Sequence, residues 1–203
     1  LNLTMVESID VENKVTVDAT DSGDIDTVSP PGQQVSISWP GMACEEGLTQ
    51  PTCTFTPMAE GPMMVTAVAT DDDGDTTTVQ SSLNVLNVAP TLAFPELWYG
   101  GSNLSADESG VWNLDEDQVA LLRISADDTL SDRDDITIEW SPSDRDLNWT
   151  EATRGPASTA TVSWTESGMH NISVVAYDDD GEQSVIQTCL LYTSPSPRDK
   201  RQS

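Results

Sequence analysis

The sequence predicts an all-β protein of two tandem sandwiches, and three observations carry the prediction. Residues 63–85, MMVTAVATDDDGDTTTVQSSLNV, alternate side chains up to DDDG and then run on, Thr-rich, through Val79, Leu83 and Val85. That is the pattern of two strands joined by a tight reversal. The device returns at residues 170–185, HNISVVAYDDDGEQSV, with Gly61 and Gly168 separated by 168 − 61 = 107 residues and Gly74 and Gly181 by 181 − 74 = 107. Lastly, 36% of the chain is apolar and 5% aromatic, so each core must be thin, built from Val, Ile, Leu, Ala and Thr around an occasional Trp. Two facing sheets meet that demand better than packed helices.

Taken in order, LNLTMVESIDV in residues 1–13 suits either the last strand of a preceding segment or the first strand of this one. Lys14–Thr20, KVTVDAT, is a strand with Val15, Val17 and Ala19 facing inward. DSGDIDTVSPPGQQ at 21–34 is a loop, because Gly, Pro, Ser and Asp break regular structure. Val35–Trp39 is a short strand stopped by Pro40, and Thr52–Thr56 is another. The hairpin follows, and NVLNVAP closes a first domain over 14–90. Pro90 holds its predecessor extended and no Gly/Ser tract follows, so the expected join is stiff.

The second domain, 91–187, opens on TLAFPELWYGG and crosses a polar stretch, SNLSADESGVWNLDEDQ, without recognisable counterpart in the first. Val119–Ala126 then matches the Lys14 strand, Ile136–Trp140 matches Val35–Trp39, and Thr159–Trp164 adds a strand before Gly168. Trp140 follows Trp39 by 140 − 39 = 101 residues, the difference of six being absorbed by the longer SPPGQQ loop of the first copy. From Thr188 the pattern breaks. TCLLYTSPSPRDKRQS stands where the first domain sets the precedent of a polar closing strand. It resembles the peptide read from sequencing-adapter sequence at the end of a metagenomic fragment, so residues 188–203 are expected outside the fold, as an artefactual or disordered tail.

Thirty-five acidic against eight basic residues give a formal net charge of −27. A polyanion does not approach such a surface, which excludes nucleic acid and favours cations as partners; a saline or calcium-rich exterior screens the self-repulsion. No run reaches the eighteen or more apolar residues of a membrane-spanning helix. The chain opens at Leu1 and reads as an internal piece, so a signal or anchor is expected in flanking sequence.

With both copies laid out, the chain resembles the PKD (polycystic kidney disease) domain. The resemblance rests on Val15–Asp18, Val35–Trp39 and Ile136–Trp140, on the Met63–Gly74 hairpin with its copy at His170–Gly181, and on the closing Asn87–Pro90. It implies tandem Ig-like, PKD-like Greek-key β-sandwiches of seven strands, found in surface proteins and in accessory parts of secreted hydrolases, and it implies no active site. Met63 and His170 stand where the family has an aromatic. PGMACEE and SPSDRD replace its Gly-Asp-Gly turn after the tryptophan, and cadherin-like repeats fit what remains.

Catalytic signatures are absent. His170 is the only histidine, at the start of a strand, and is given a structural role. Acidic pairs are everywhere and so specify no glycosidase site. Trp39 and Trp140 are expected to fill the two cores. Trp98-Tyr99-Gly100-Gly101 is either packed against a neighbouring domain or an exposed carbohydrate platform, while Trp112, Trp149 and Trp164 are undetermined. Asn2, Asn103, Asn148 and Asn171 head N-x-Ser/Thr sequons.

Cys44 and Cys53 are expected to form a disulfide, since the eight residues between them can turn back (53 − 44 − 1 = 8); the rival reading is two free thiols, because the second copy has no counterpart pair. Asp71, Asp73 and Asp75 around Gly74, and Asp178, Asp180 and Glu182 around Gly181, are candidate Ca²⁺ ligands. Hard oxygens without histidine or cysteine favour calcium, and Asp24 and Asp26 or Asp132, Asp134 and Asp135 lie in loops able to approach. The competing reading is a solvated reversal in which Asp caps the turn and Gly takes positive φ. No cofactor is required.

The expected function is a non-catalytic extracellular or cell-surface module that spaces or displays parts of a larger protein. Its partners would be other domains of the same chain, surface proteins or polysaccharide. The alternative is an accessory segment of a secreted polysaccharide- or protein-degrading hydrolase.

Overall fold

The computed structural model describes residues 1–23, 35–143, the backbone of 148–152, and 155–195. The chain divides into two compact units, Leu1–Val88 and Ala89–Ser203. In unit one the strands are β1 (Ser8–Asp10), β2 (Val15–Asp18), β3 (Ser36–Ser38), β4 (Thr52–Phe55), β5 (Gly61–Thr70) and β6 (Thr76–Leu86). One sheet has the order β1-β6-β5-β3 and the other pairs β2 with β4. Alternation decides which side chains meet between them: Val15, Val17, Cys53 and Phe55 from one sheet and Ile37, Val65, Ala67, Leu83 and Val85 from the other share one core around Trp39. The expected inward residues Val65, Ala67 and Ala69 are buried.

Residues 1–13 belong to this sandwich, not to a preceding segment. Thr4 bridges antiparallel to Asp18, and β1 then crosses to the other sheet and pairs parallel with β6, Ile9 opposite Val85. The crossing suits its side chains, since Leu3, Met5 and Ile9 pack against the core.

Unit two contains β7 (Thr91–Leu92), β8 (Glu96–Tyr99), β9 (Ser102–Leu104), β10 (Val111–Asp115), β11 (Ala120–Asp127), β12 (Thr137–Pro142), β13 (Asn148–Ala152), β14 (Ala157–Ser163), β15 (Gly168–Tyr177) and β16 (Gln187–Ser194). Its sheets run β10-β16-β15-β12 and β13-β14-β11-β8-β9, with β7 also on β11. Leu97, Leu122, Ile124 and Val162 face Trp112, Ile138, Trp140, Ile172, Val174 and Leu191 across the core.

The polar stretch that looked private to the second copy corrects the sequence reading. Its β10 pairs parallel with β16 as β1 does with β6, and the turns that follow match bond for bond. Asn13 N–H donates to Asp10 C=O as Gln118 N–H does to Asp115 C=O, and Glu12 N–H donates to Pro57 C=O as Asp117 N–H does to Trp164 C=O. Glu12 and Asp117 are the two non-glycine residues with positive φ among those described, at 62° and 61°. Backbone geometry recurs here while, apart from Asp10 and Asp115, side-chain identity does not, which is why the correspondence was hard to see in the letters. Both units are all-β sandwiches of Ig-like strand order.

The expectation that 188–203 lies outside the fold is corrected over 188–194, and residues 196–203 lie outside the described residues. Residues 187–194 form β16, the neighbour of both β10 and β15, with Cys189, Leu191 and Thr193 buried. Any segment that alternates can fill a strand position, and TCLLYTS does. A bulge adjusts its register. Thr70 pairs with Thr76, and moving both by 107 gives Tyr177 with Gln183, which are indeed bridged. The ladder then slips, so that Val174 meets Gln187 rather than Ile186. The extra residue lies at Val185–Ile186, 81% and 57% exposed, and the slip turns Cys189 and Leu191 inward in place of Leu190 and Tyr192.

Candidate functional site

The acidic turns are built alike. Asp71 closes the β5–β6 reversal: its N–H donates to Asp75 C=O at 3.1 Å and its Oδ1 accepts from Asp75 N–H at 2.8 Å. Asp178 N–H donates to Glu182 C=O at 3.2 Å, and Asp178 Oδ1 accepts from Glu182 N–H at 2.8 Å. Gly74 and Gly181 take φ of 90° and 89°, where a Cβ would be strained. The first aspartate of each DDDG therefore caps its own turn. Asp73, Asp75, Asp180 and Glu182 are exposed around it.

Unit two gathers further acid near its turn. Asp134, Asp135, Asp178 and Asp179 line a cleft of about 230 Å³ with Ile136 and Thr137. Asp128, from the segment after β11, has its Oδ2 buried without a hydrogen-bond partner, while its Oδ1 accepts from Thr129 N–H at 2.8 Å. Burial pushes the Asp128 carboxyl above the usual range, and repulsion from Asp132, Asp178 and Asp127 adds to it. Asp132 is itself buried and accepts from the Thr129 hydroxyl at 2.8 Å. Thus Asp134 and Asp135 do approach Asp178, as the loop positions suggested. Among the described residues, however, no three acidic, histidine or cysteine side chains are grouped so as to hold a metal ion. Asp24 and Asp26 lie outside the described residues.

Asp128 was the residue that sequence reasoning missed. Its signal was available as an Asp-Asp pair ending a strand whose inward positions are Leu122, Ile124 and Ala126.

Cys44 and Cys53 are joined by a disulfide. Cys189 is a free, buried thiol pushed up to about 12 by burial. His170 is buried, stacked on Trp164 at 5.0 Å between ring centroids, and its Nε2 is 2.9 Å from Thr193 Oγ1. No nucleophile is prepared there, and the arrangement is that of packing.

The tryptophans divide. Trp39 and Trp140 fill the cores, their indole N–H groups donating to Gln50 C=O at 2.8 Å and Ser158 Oγ at 2.9 Å. Trp112 and Trp164 are buried too, and the Trp149 side chain lies outside the described residues. Trp98 is half-buried on the outer face of β8. The Arg123 guanidinium lies 5.5 Å from the Trp98 ring centroid, and the Trp98 indole N–H donates to Glu96 Oε2 at 2.8 Å. The sequon residues Asn2, Asn103 and Asn171 are exposed.

No protein-family model matches the chain, and no curated protein matches it. Solved structures that it resembles include the fibronectin(III)-like modules of Clostridium thermocellum CbhA, at 16% identity over 96% of this chain and 95% of that one, with a TM-score of 0.34. They also include the I67–I69 I-band fragment of titin, at 10% identity over 96% of this chain and 65% of that one, TM-score 0.43. The D00–D0 domain of intimin matches at 13% identity over 93% and 99%, TM-score 0.32. At these values the likeness lends no weight to any function; the Ig-like reading stands on strand order and shared cores. No described helix is long and apolar enough to cross a membrane.

Proposed function

We propose that this chain is a non-catalytic structural or adhesive module, two tandem PKD-like sandwiches that space or display parts of a larger extracellular or cell-surface protein. The observation that carries the reading is repetition of a shared scaffold. Both units repeat the parallel pairing of an early strand with the last one, β1 with β6 and β10 with β16, the left-handed turn at Glu12 and Asp117 and the capped acidic reversal. Selection for spacing preserves scaffold and leaves side chains free; selection for chemistry would preserve a constellation. The parent reading frame tests it: further copies and an anchor support the proposal, and a neighbouring hydrolase domain favours the accessory role. Reproducible turnover of casein or polysaccharide by the purified chain would overturn the non-catalytic reading.

The accessory reading has one observation in its favour. Trp98 with Glu96 and Arg123 sits on an outer sheet face beside a concavity of about 240 Å³ lined by Phe94, Glu96, Arg123 and Thr159. If that face contacts polysaccharide, Trp98→Ala abolishes retardation in affinity gels. Calcium belongs to the structural proposal as a ligand of the acidic ends, supported by the repulsion around Asp128 and Asp178. Its test is a rise in Tm with calcium at constant ionic strength, reduced by Asp73→Asn or Asp180→Asn; no rise and no heat on titration leave both turns as capped reversals.

A further inference from the structure

We propose that Cys44–Glu46 is a disulfide-held guard over the pairing edge of β4, and that its release turns β4 into a dimerisation edge taken by β4 of a second copy of this chain. The two units treat the same edge differently. Val15 pairs with Phe55 on β2–β4, and Ala120 with Val162 on β11–β14, so 162 − 55 = 107 places Thr54 opposite Thr161 in the comparison and Cys53 opposite Ala160. In unit two the outer edge of β14 carries an antiparallel strand, β13, with Thr150 paired to Thr161. Among the described residues of unit one no strand occupies the equivalent edge.

A short segment occupies it instead. Thr54 N–H donates to Glu46 Oε2 at 2.8 Å, Thr54 C=O accepts from Glu45 N–H at 2.8 Å, and the Thr54 hydroxyl donates to Glu46 Oε1. Both outward main-chain groups of Thr54 are thereby used by two adjacent residues. The disulfide joins the residue before Glu45 to the residue before Thr54, so it pins the guard at the point where it works. This explains why only one copy has the cysteine pair: β13 protects the edge in the other. An unguarded edge is a template for strand addition. Unit two demonstrates that an antiparallel strand fits this edge, and a strand pairing antiparallel with its own copy about a twofold axis closes the assembly at two chains. The net charge of −27 opposes the approach of a second copy, so association should increase as salt screens it.

Release by a small-molecule dithiol is balanced. Its thiolate attacks one sulfur of the Cys44–Cys53 bond and expels the other cysteine as thiolate. Its second thiol then displaces the remaining cysteine by closing a cyclic disulfide, leaving two protein thiols and an oxidised reductant.

The experiment compares wild type, Cys44→Ser/Cys53→Ala and the same double variant carrying Thr54→Pro by sedimentation at low and high salt. Alanine at 53 follows Ala160, which is fully buried as Cys53 is. Wild type should sediment at 21.9 kDa; the double variant should double in mass, more completely at high salt, and return to monomer when Thr54→Pro removes the outward donor. A double variant that melts cooperatively and stays monomeric at both salts overturns the proposal, as does a dimer that survives Thr54→Pro. Should the variant not fold, hydrogen exchange on wild type decides. At low salt and high dilution, where the released chain stays monomeric, dithiol should abolish protection of the Thr54 amide while Cys53 and Phe55, which face β2, keep theirs; unchanged Thr54 protection under those conditions overturns the guard.

Discussion

Asp128 sits in an environment that opposes its charge. Its carboxyl is pushed above 3.8 chiefly by burial, so the fold favours its protonated form. Its contribution is therefore most favourable below the unfolded pKa and is lost as pH rises through the higher native value. Asp128→Asn should raise Tm at neutral pH in chelator, keeping the Oδ1 acceptor for Thr129 N–H, and the gain should vanish in acid. A thermal scan from acid to neutral pH checks it. Hydrogen bonds from Thr54 to Glu46, from Thr20 to Asp18 and from Val111 to Asp107 hold those carboxyls low and act oppositely, supplying stability lost as pH falls. Cysteine chemistry is equally position-bound: with Cys44 and Cys53 bridged and Cys189 buried, the native protein should show no thiol to an aromatic disulfide reagent, and one on denaturation.

The element that best displays how pattern becomes packing is β16. Its inward set, Cys189, Leu191 and Thr193, reaches the core because the extra residue at Val185–Ile186 shifts the ladder by one. In this register Leu191 is fully buried while Tyr192 is outward, so Leu191→Ala should be costly and Tyr192→Ala should not. Emptying a site of that size costs about 2–5 kcal/mol, enough to remove most of the stability of a small domain, and the denaturation curve of Leu191→Ala reads it. Denaturant unfolding should then show a lowered midpoint for the transition that carries Trp112, Trp140 and Trp164 fluorescence. An unchanged curve would mean that β16 does not hold this register in solution.

At the scale of the molecule, charge dominates. Only two ion pairs, Lys14–Glu45 and Arg133–Asp127, are formed among the described residues, against thirty-five acidic side chains. Self-repulsion is thus a standing cost in both units, and raising monovalent salt from low to physiological strength, where the screening length falls to about 8 Å, should raise Tm. Each unit has its own core. Residues 1–88 expressed alone should therefore melt in one cooperative transition, which calorimetry reads directly.

Local alternation and turn chemistry determined a great deal without any structure. Val65, Ala67 and Ala69 against Ile172, Val174 and Ala176 set the hairpins and their inward faces. The glycines after each Asp triplet set the reversals, and Cys44 and Cys53 were close enough along the chain to announce their bond. These are short-range facts, fixed by a period of two and by φ restrictions that each residue carries with it. Tertiary structure alone decided what depends on partners distant in sequence. The pairing of Ile9 with Val85 and of Trp112 with Leu191 joins strands distant in sequence, and Asp128 has its carboxyl raised by burial, with repulsion from Asp178 fifty residues away (178 − 128 = 50) adding to it. Whether the outward face of Thr54 meets a strand or two glutamates is likewise not encoded in β4 itself. Parallel pairing, burial of charge and protection of an edge all depend on which segments the fold brings together, and no local pattern contains that information.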